Sequence, residues 1–120
     1  MKLSPILHEE AFAFVAADSD MAAQFLPDAI CVFKEAEGIT LVISESVAKK
    51  HGLAYEFRAA WITLSAETSL NALGITSTFS KVLADNGISC NVFAPIHHDH
   101  IFVPFEKGAE AVQLLDGITL

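Results

Sequence analysis

Two short segments hold the residues best suited to chemistry. The first runs from Glu67 through Thr68, Ser69, Leu70, Asn71, Ala72 and Leu73 to Gly74, and then into Ile75 and Thr76. The spacing after Gly74 predicts a helix start. The amides of about Ile75, Thr76 and Ser77 would be unpaired there, and such amides favour a carboxylate. Gly74 would let the backbone approach a ligand closely. Ser69 and Asn71 could orient a zwitterion, and Glu67 could pair with its amine. An ordinary capped loop, with Glu67 as a solvated charge, is the competing reading. The second segment is His97-His98-Asp99-His100. Imidazoles and a carboxylate suit a transition metal. In a strand, however, His98 and His100 point one way and His97 and Asp99 the other. No Cys or Glu sits nearby to complete a tetrahedral set. The reading is therefore a turn in which Asp99 bonds backbone amides and histidines line an interface, with no metal and no cofactor. Asn91 lies on a strand rich in apolar neighbours. It could bond a ligand, or a partner backbone as an interface residue.

Catalysis has little support. The chain has no nucleophile turn, phosphate loop or dinucleotide-binding glycine fingerprint, and Thr63 and Ser65 are strand hydroxyls. The expectation is that the chain is not an enzyme. Cys31 and Cys90 sit in apolar runs and read as buried thiols. A net charge of −8 repels phosphates and argues against nucleic acid, and the seven Lys and Arg are scattered. The apolar run Ala11 to Ala17 is too short to span a bilayer, and Glu9 and Glu10 interrupt any leader-like stretch. A cytoplasmic chain with no membrane partner is expected. Apolar residues make up 52% of it, rich enough to suggest that a partner covers some surface.

The elements that must position these residues are short and alternate. Strands are expected at Ala11–Ala17, Ala29–Lys34 and Ile39–Ile43, with helices capped by Ser19 and by Ser44 or Ser46. The second half repeats the order: strand Phe57–Ser65, helix Ile75–Asn86, strands Ile88–Ala94 and His100–Phe105, helix Glu106–Leu115, and a last strand Ile118–Leu120. The order βαββα thus occurs twice, giving an α+β fold with an antiparallel sheet and helices on one face. Residues 1–56 form the N-terminal half and 57–120 the C-terminal module. In the strands, Ala60, Ile62 and Leu64 oppose Trp61, Thr63 and Ser65, while Ile101 and Val103 oppose His100 and Phe102. Trp61, Phe93 and Phe102 then lie on the face away from the helices, with His98 and His100 beside them. Exposed rings there call for a cover, and a second copy is the simplest: a homodimer or higher oligomer.

The ordered run Trp61-Ile62-Thr63-Leu64, Ser69-Leu70, Gly74-Ile75-Thr76, Gly87-Ile88-Ser89-Cys90-Asn91-Val92 and His98-Asp99-His100-Ile101-Phe102-Val103-Pro104 resembles small bacterial ACT-domain proteins related to the ACT modules of the CASTOR arginine sensors. More distantly, a glycine opening a helix that ends in Asn-Gly-Ile resembles the regulatory domains of aspartate kinases. The resemblance implies tandem ACT modules of ferredoxin-like βαββαβ topology and a regulatory, sensing role. It implies that a small effector, an amino acid, binds at an interface between modules through the loop Glu67 to Ile75. The N-terminal half departs from the pattern: its first helix is short and it lacks the Gly-Ile-Thr start. A ligand-free scaffold for a partner protein is the alternative, and a metal-binding protein using His97 to His100 is a further one.

Overall fold

The computed structural model describes all 120 residues. In chain order the elements are β1 (Pro5–Ala17), α1 (Ser19–Phe25), β2 (Cys31–Lys34), β3 (Ile39–Ser44), α2 (Glu45–Lys50), β4 (Phe57–Leu64), α3 (Ile75–Asp85), β5 (Asn91–Phe93), β6 (Asp99–Pro104) and α4 (Gly108–Asp116). They build two compact units. One is Glu10–Ala59; the other joins Met1–Glu9 to Ala60–Leu120. The expected α+β architecture is present in both, as antiparallel strands with helices on one face. No helix is long and apolar enough to cross a membrane.

In the unit Glu10–Ala59 the strands follow the order β2-β3-β1-β4. β1 and β3 pair antiparallel from Phe12↔Ser44 to Ala17↔Ile39, and β2 pairs β3 from Cys31↔Val42 to Lys34↔Ile39. The period of two puts Ala13 and Val15 on the same side as Leu41 and Ile43, where they meet Ala22, Phe25 and Ala48 from α1 and α2. α1 is capped by Asp18, whose Oδ1 accepts from the Met21 amide at 2.9 Å, not by Ser19 as expected. Ser19 is instead the first helical residue, and the carboxylate one position earlier holds the cap. Ser44 caps α2, as one of the two candidates, accepting from the Val47 amide at 3.3 Å.

The other unit carries its strands in the order β1-β4-β6-β5. Ala60, Ile62 and Leu64 of β4 and Ile101 and Val103 of β6 face Phe79 and Leu83 of α3 and Ala111 and Leu115 of α4. This is the face division expected from alternation. Leu3, 1% exposed, completes that core from the far end of the chain. The amides of Ser65 and Ala66 donate to the carbonyls of Ser4 and Leu3 at 3.0 and 3.2 Å.

Beyond shifts of one or two residues, such as β2 opening at Cys31 rather than Ala29, four boundaries differ from expectation. β1 begins at Pro5, not Ala11, because its opening residues are held by strand pairing rather than by burial, and most are exposed. β5 starts only at Asn91. Ile88 before it is still closing α3, its amide donating to the Leu83 carbonyl at 2.9 Å, after Gly87 turns the chain at φ 74°. The last helix opens as a 3-10 turn over Phe105–Lys107 before α4. The expected strand Ile118–Leu120 is a single bridge, Thr119 to Lys2.

Candidate functional site

The loop between β4 and α3 is built by short-range bonds. The Ser69 carbonyl accepts from the Ala72 amide at 3.0 Å, and Ser69 Oγ accepts from the Asn71 amide at 3.1 Å. Gly74 then turns left-handed at φ 85° and stands at the N-cap of α3. Lacking a side chain, it offers no cap, and the first turn of α3 has no acidic residue. The Gly74 carbonyl is busy, taking the Thr78 amide at 3.1 Å and the hydroxyls of Ser77 and Thr78 at 3.1 and 2.6 Å. The positive end of the helix is thus left without a counter-charge of its own. A Cβ at position 74 would meet nothing within 4 Å, so the backbone angle, not crowding, is what calls for glycine.

Beside this loop lies an open cleft of about 370 Å³, lined by Glu67, Thr68, Ser69, Ile96 and His97. That volume is at the small end of ligand sites. Of the residues singled out in the sequence, Glu67 and Ser69 are on its wall. Leu70 and Leu73 are exposed in the same loop, at 66% and 95%, and Ile96 on the wall is 72% exposed. Asn71, Gly74 and Thr76 are also exposed, and Ile75 is half-buried. Asn91 is exposed on β5, opposite Phe102 on β6. Ile96 and His97 come from the β5–β6 connection. Sequence reading missed them as cleft residues because the pairing of two loops that far apart leaves no local signal.

A second cluster occupies the face of β4 and β6 away from the helices. The Trp61 indole N–H donates to His100 Nδ1 at 3.0 Å. Thr63 Oγ1 lies 3.1 Å from the same nitrogen and 2.9 Å from His8 Nε2. His8 stacks on Trp61 with ring centroids 3.6 Å apart and planes 9° from parallel. Trp61 in turn stacks on Phe102 at 6.3 Å, and Phe93 tilts against Phe102 at 5.2 Å. The expected bare aromatic face is therefore corrected. Phe102 is only 1% exposed, and Trp61 and Phe93 are half-buried. The rings cover one another, with His8 from β1 laid over the indole.

Burial first, then the neighbouring charges of His98 and His8, push the His100 pKa down, and Asp99 opposes them. His98 keeps its Nδ1 buried without a hydrogen-bond partner. The histidines do not converge with other donors into a group fit to hold a metal ion. Burial also raises both thiols, Cys90 to about 11, which leaves them poor nucleophiles.

Residues 1–60 and, separately, 56–116 match sequence profiles of the ACT domain. No curated protein sequence matches the chain. Among solved structures, a Vibrio cholerae protein of unknown function, described as a possible transport protein, superposes with a TM-score of 0.90 at 36% identity, over 100% of this chain and 92% of its own. The aspartokinase alpha and beta subunits give a TM-score of 0.70 at 10% identity, with 96% of each chain covered. The regulatory subunit of aspartate kinase from Thermus thermophilus gives 0.69 at 8%, with 97% of each covered. At those identities the two aspartate kinase structures share the fold.

Proposed function

The chain belongs to the ACT-domain family, and from that premise we propose that it is a non-catalytic regulatory module whose cleft beside Glu67, Ser69 and His97 binds a small α-amino acid. The observation that carries this reading is the uncapped start of α3 after a left-handed Gly74, in the loop that also walls a cleft of about 370 Å³. The wall of the cleft stops at Ser69 on this segment, and a ligand carboxylate extending beyond it along the loop would meet the amides of Ile75 and Thr76, where the helix dipole favours an anion. Glu67 takes the amine, and His97 and Ile96 close the other side. The site belongs to the 57–120 module, because the 1–56 half has no equivalent of the Gly74-Ile75-Thr76 start. Resemblance to the aspartate kinase regulatory domains and to the CASTOR modules supports an amino acid over other carboxylates. The cleft is open, and Leu70, Leu73 and Ile96 stand exposed around it. A second copy of the chain closing over that rim would cover both the ligand and these side chains.

The test is a thermal-shift screen with the common amino acids at millimolar concentration. Ligand at about a hundred times its Kd adds about 2.7 kcal/mol to the folded state. In a chain of this size that raises Tm by roughly ten degrees. The double variant Glu67→Gln, His97→Ala changes only exposed residues, so it should keep the ligand-free Tm and lose the shift. If no amino acid moves Tm and calorimetry is silent, the sensor reading fails. The exposed Leu70, Leu73 and Ile96 then favour a protein-interaction scaffold, which a partner-dependent mass in light scattering would reveal.

A further inference from the structure

The chain His8–Thr63–His100–Trp61 has a direction that its donors fix. An indole N–H only donates, so His100 Nδ1 must be an acceptor at 3.0 Å and its proton must sit on Nε2. Thr63 can then turn its own hydrogen toward the same nitrogen, 3.1 Å away, and accept from His8 Nε2–H at 2.9 Å. His100 Nδ1 has one lone pair, so the indole and the Thr63 hydroxyl share it as a bifurcated acceptor, and with both imidazoles neutral no donor in the chain faces another donor.

Adding protons one at a time has unequal consequences. A proton on His8 Nδ1 leaves Nε2–H still donating to Thr63. It also places an imidazolium flat on the indole, 3.6 Å away, a favourable cation–π contact. A proton on His100 Nδ1 is different, because that nitrogen becomes a donor facing the indole donor. The Trp61 bond must break, and Thr63, which still accepts from the charged His8 through Nε2–H, must accept from His100 as well and turn its own hydrogen away from both rings.

We propose that this cluster is an ordered, two-step proton switch, in which His8 charges first with the aromatic stack intact and His100 charges second, expelling the Trp61 indole from its bond. The charged and titratable groups around it fit that order. On β1, Glu10 lies two residues beyond His8. On β6, His98 and Asp99 adjoin His100, and the pair residue on β5 is the uncharged Phe93. Burial and the charges of His98 and His8 hold His100 back, against Asp99 alone. None of the bonds that make the switch involves a ligand in the cleft.

Trp61 is the sole tryptophan, so its fluorescence reports the cluster directly. The experiment is a fluorescence titration of the whole chain from about pH 8 to about pH 4, with the imidazole nitrogens followed by NMR. Two steps are expected: quenching as the stacked His8 charges, then a spectral shift at lower pH as the indole loses its acceptor. His8→Gln should remove the upper step and move the lower one to higher pH, since a neighbouring positive charge is gone. His100→Gln keeps a carbonyl acceptor for the indole and should remove only the lower step. Far-ultraviolet circular dichroism checks that both variants fold. A single unshifted step, a flat fluorescence curve, or a proton found on His100 Nδ1 at neutral pH would overturn the proposal.

Discussion

Glu45 at the start of α2 accepts the Tyr55 hydroxyl and Arg58 Nε, both at 2.8 Å. The Tyr55 bond first, then Arg58, lower its pKa. A carboxylate lowered in the folded state stabilises the fold above its unfolded pKa, and that contribution is lost as pH falls through the folded value. His100 is a base whose pKa is also lowered, so its linkage starts in a different window. Just below the ordinary histidine value, about 6.5, the unfolded chain binds the proton and the folded chain does not. Stability therefore falls as pH drops from there until His100 itself protonates. Acid should weaken the protein in two stages: an upper one from histidine, and a lower one below the ordinary carboxylate range from Glu45. Urea midpoints measured across pH resolve them. Glu45→Gln should flatten only the lower stage, and a curve unchanged by that substitution would show that Glu45 carries none of it.

At the scale of elements, Gly108 begins α4 against β4. A Cβ there would stand 3.0 Å from the Ala60 Cβ and 3.2 Å from a Leu7 methyl. Leu7 is partly exposed and can swing away; Ala60, fixed on β4, cannot. Helix propensity favours alanine over glycine by about 1 kcal/mol, while overpacking costs about 1–3 kcal/mol. Gly108→Ala should thus leave the urea midpoint nearly unchanged, and Gly108→Val should lower stability by about 2 kcal/mol. An unchanged midpoint for valine would mean that α4 can shift off β4. The sequence made α3 and α4 legible because their apolar residues keep helical spacing, and β4 because its alternation is clean. The first residues of β1 were hidden: Pro5 to Glu10 neither alternate nor bury, and strand pairing across the sheet holds them. The site followed the same rule. Glu67 and Ser69 announced themselves beside a glycine-opened helix, and Trp61, Thr63 and His100 shared a face by parity. His8, Ile96 and His97 reached their neighbours only through long-range pairing, which periodicity does not record.

For the whole molecule, the two units do not divide at a linker. β1 and β4 each begin in one and end in the other. Residues 57–120 alone would lack Leu3 from their core, the Ser4 and Leu3 carbonyls that receive the Ser65 and Ala66 amides, and the Lys2–Thr119 bridge. Losing a fully buried leucine costs about 2–5 kcal/mol, a large share of the stability of so small a unit. A 57–120 fragment should show no cooperative melting transition in calorimetry, while a fragment extended by a linked copy of residues 1–9 should recover one. A sharp transition in the bare fragment would show the early strand to be dispensable. Loss of the transition in the bare fragment would make the repeat visible along the chain one of pattern rather than of separable parts. Genes built from cassettes can be reshuffled by cutting between them. Here a cut near the midpoint parts residues 1–9 from the 60–120 segment they belong with, so a graft of the second half is expected to need that first segment carried along.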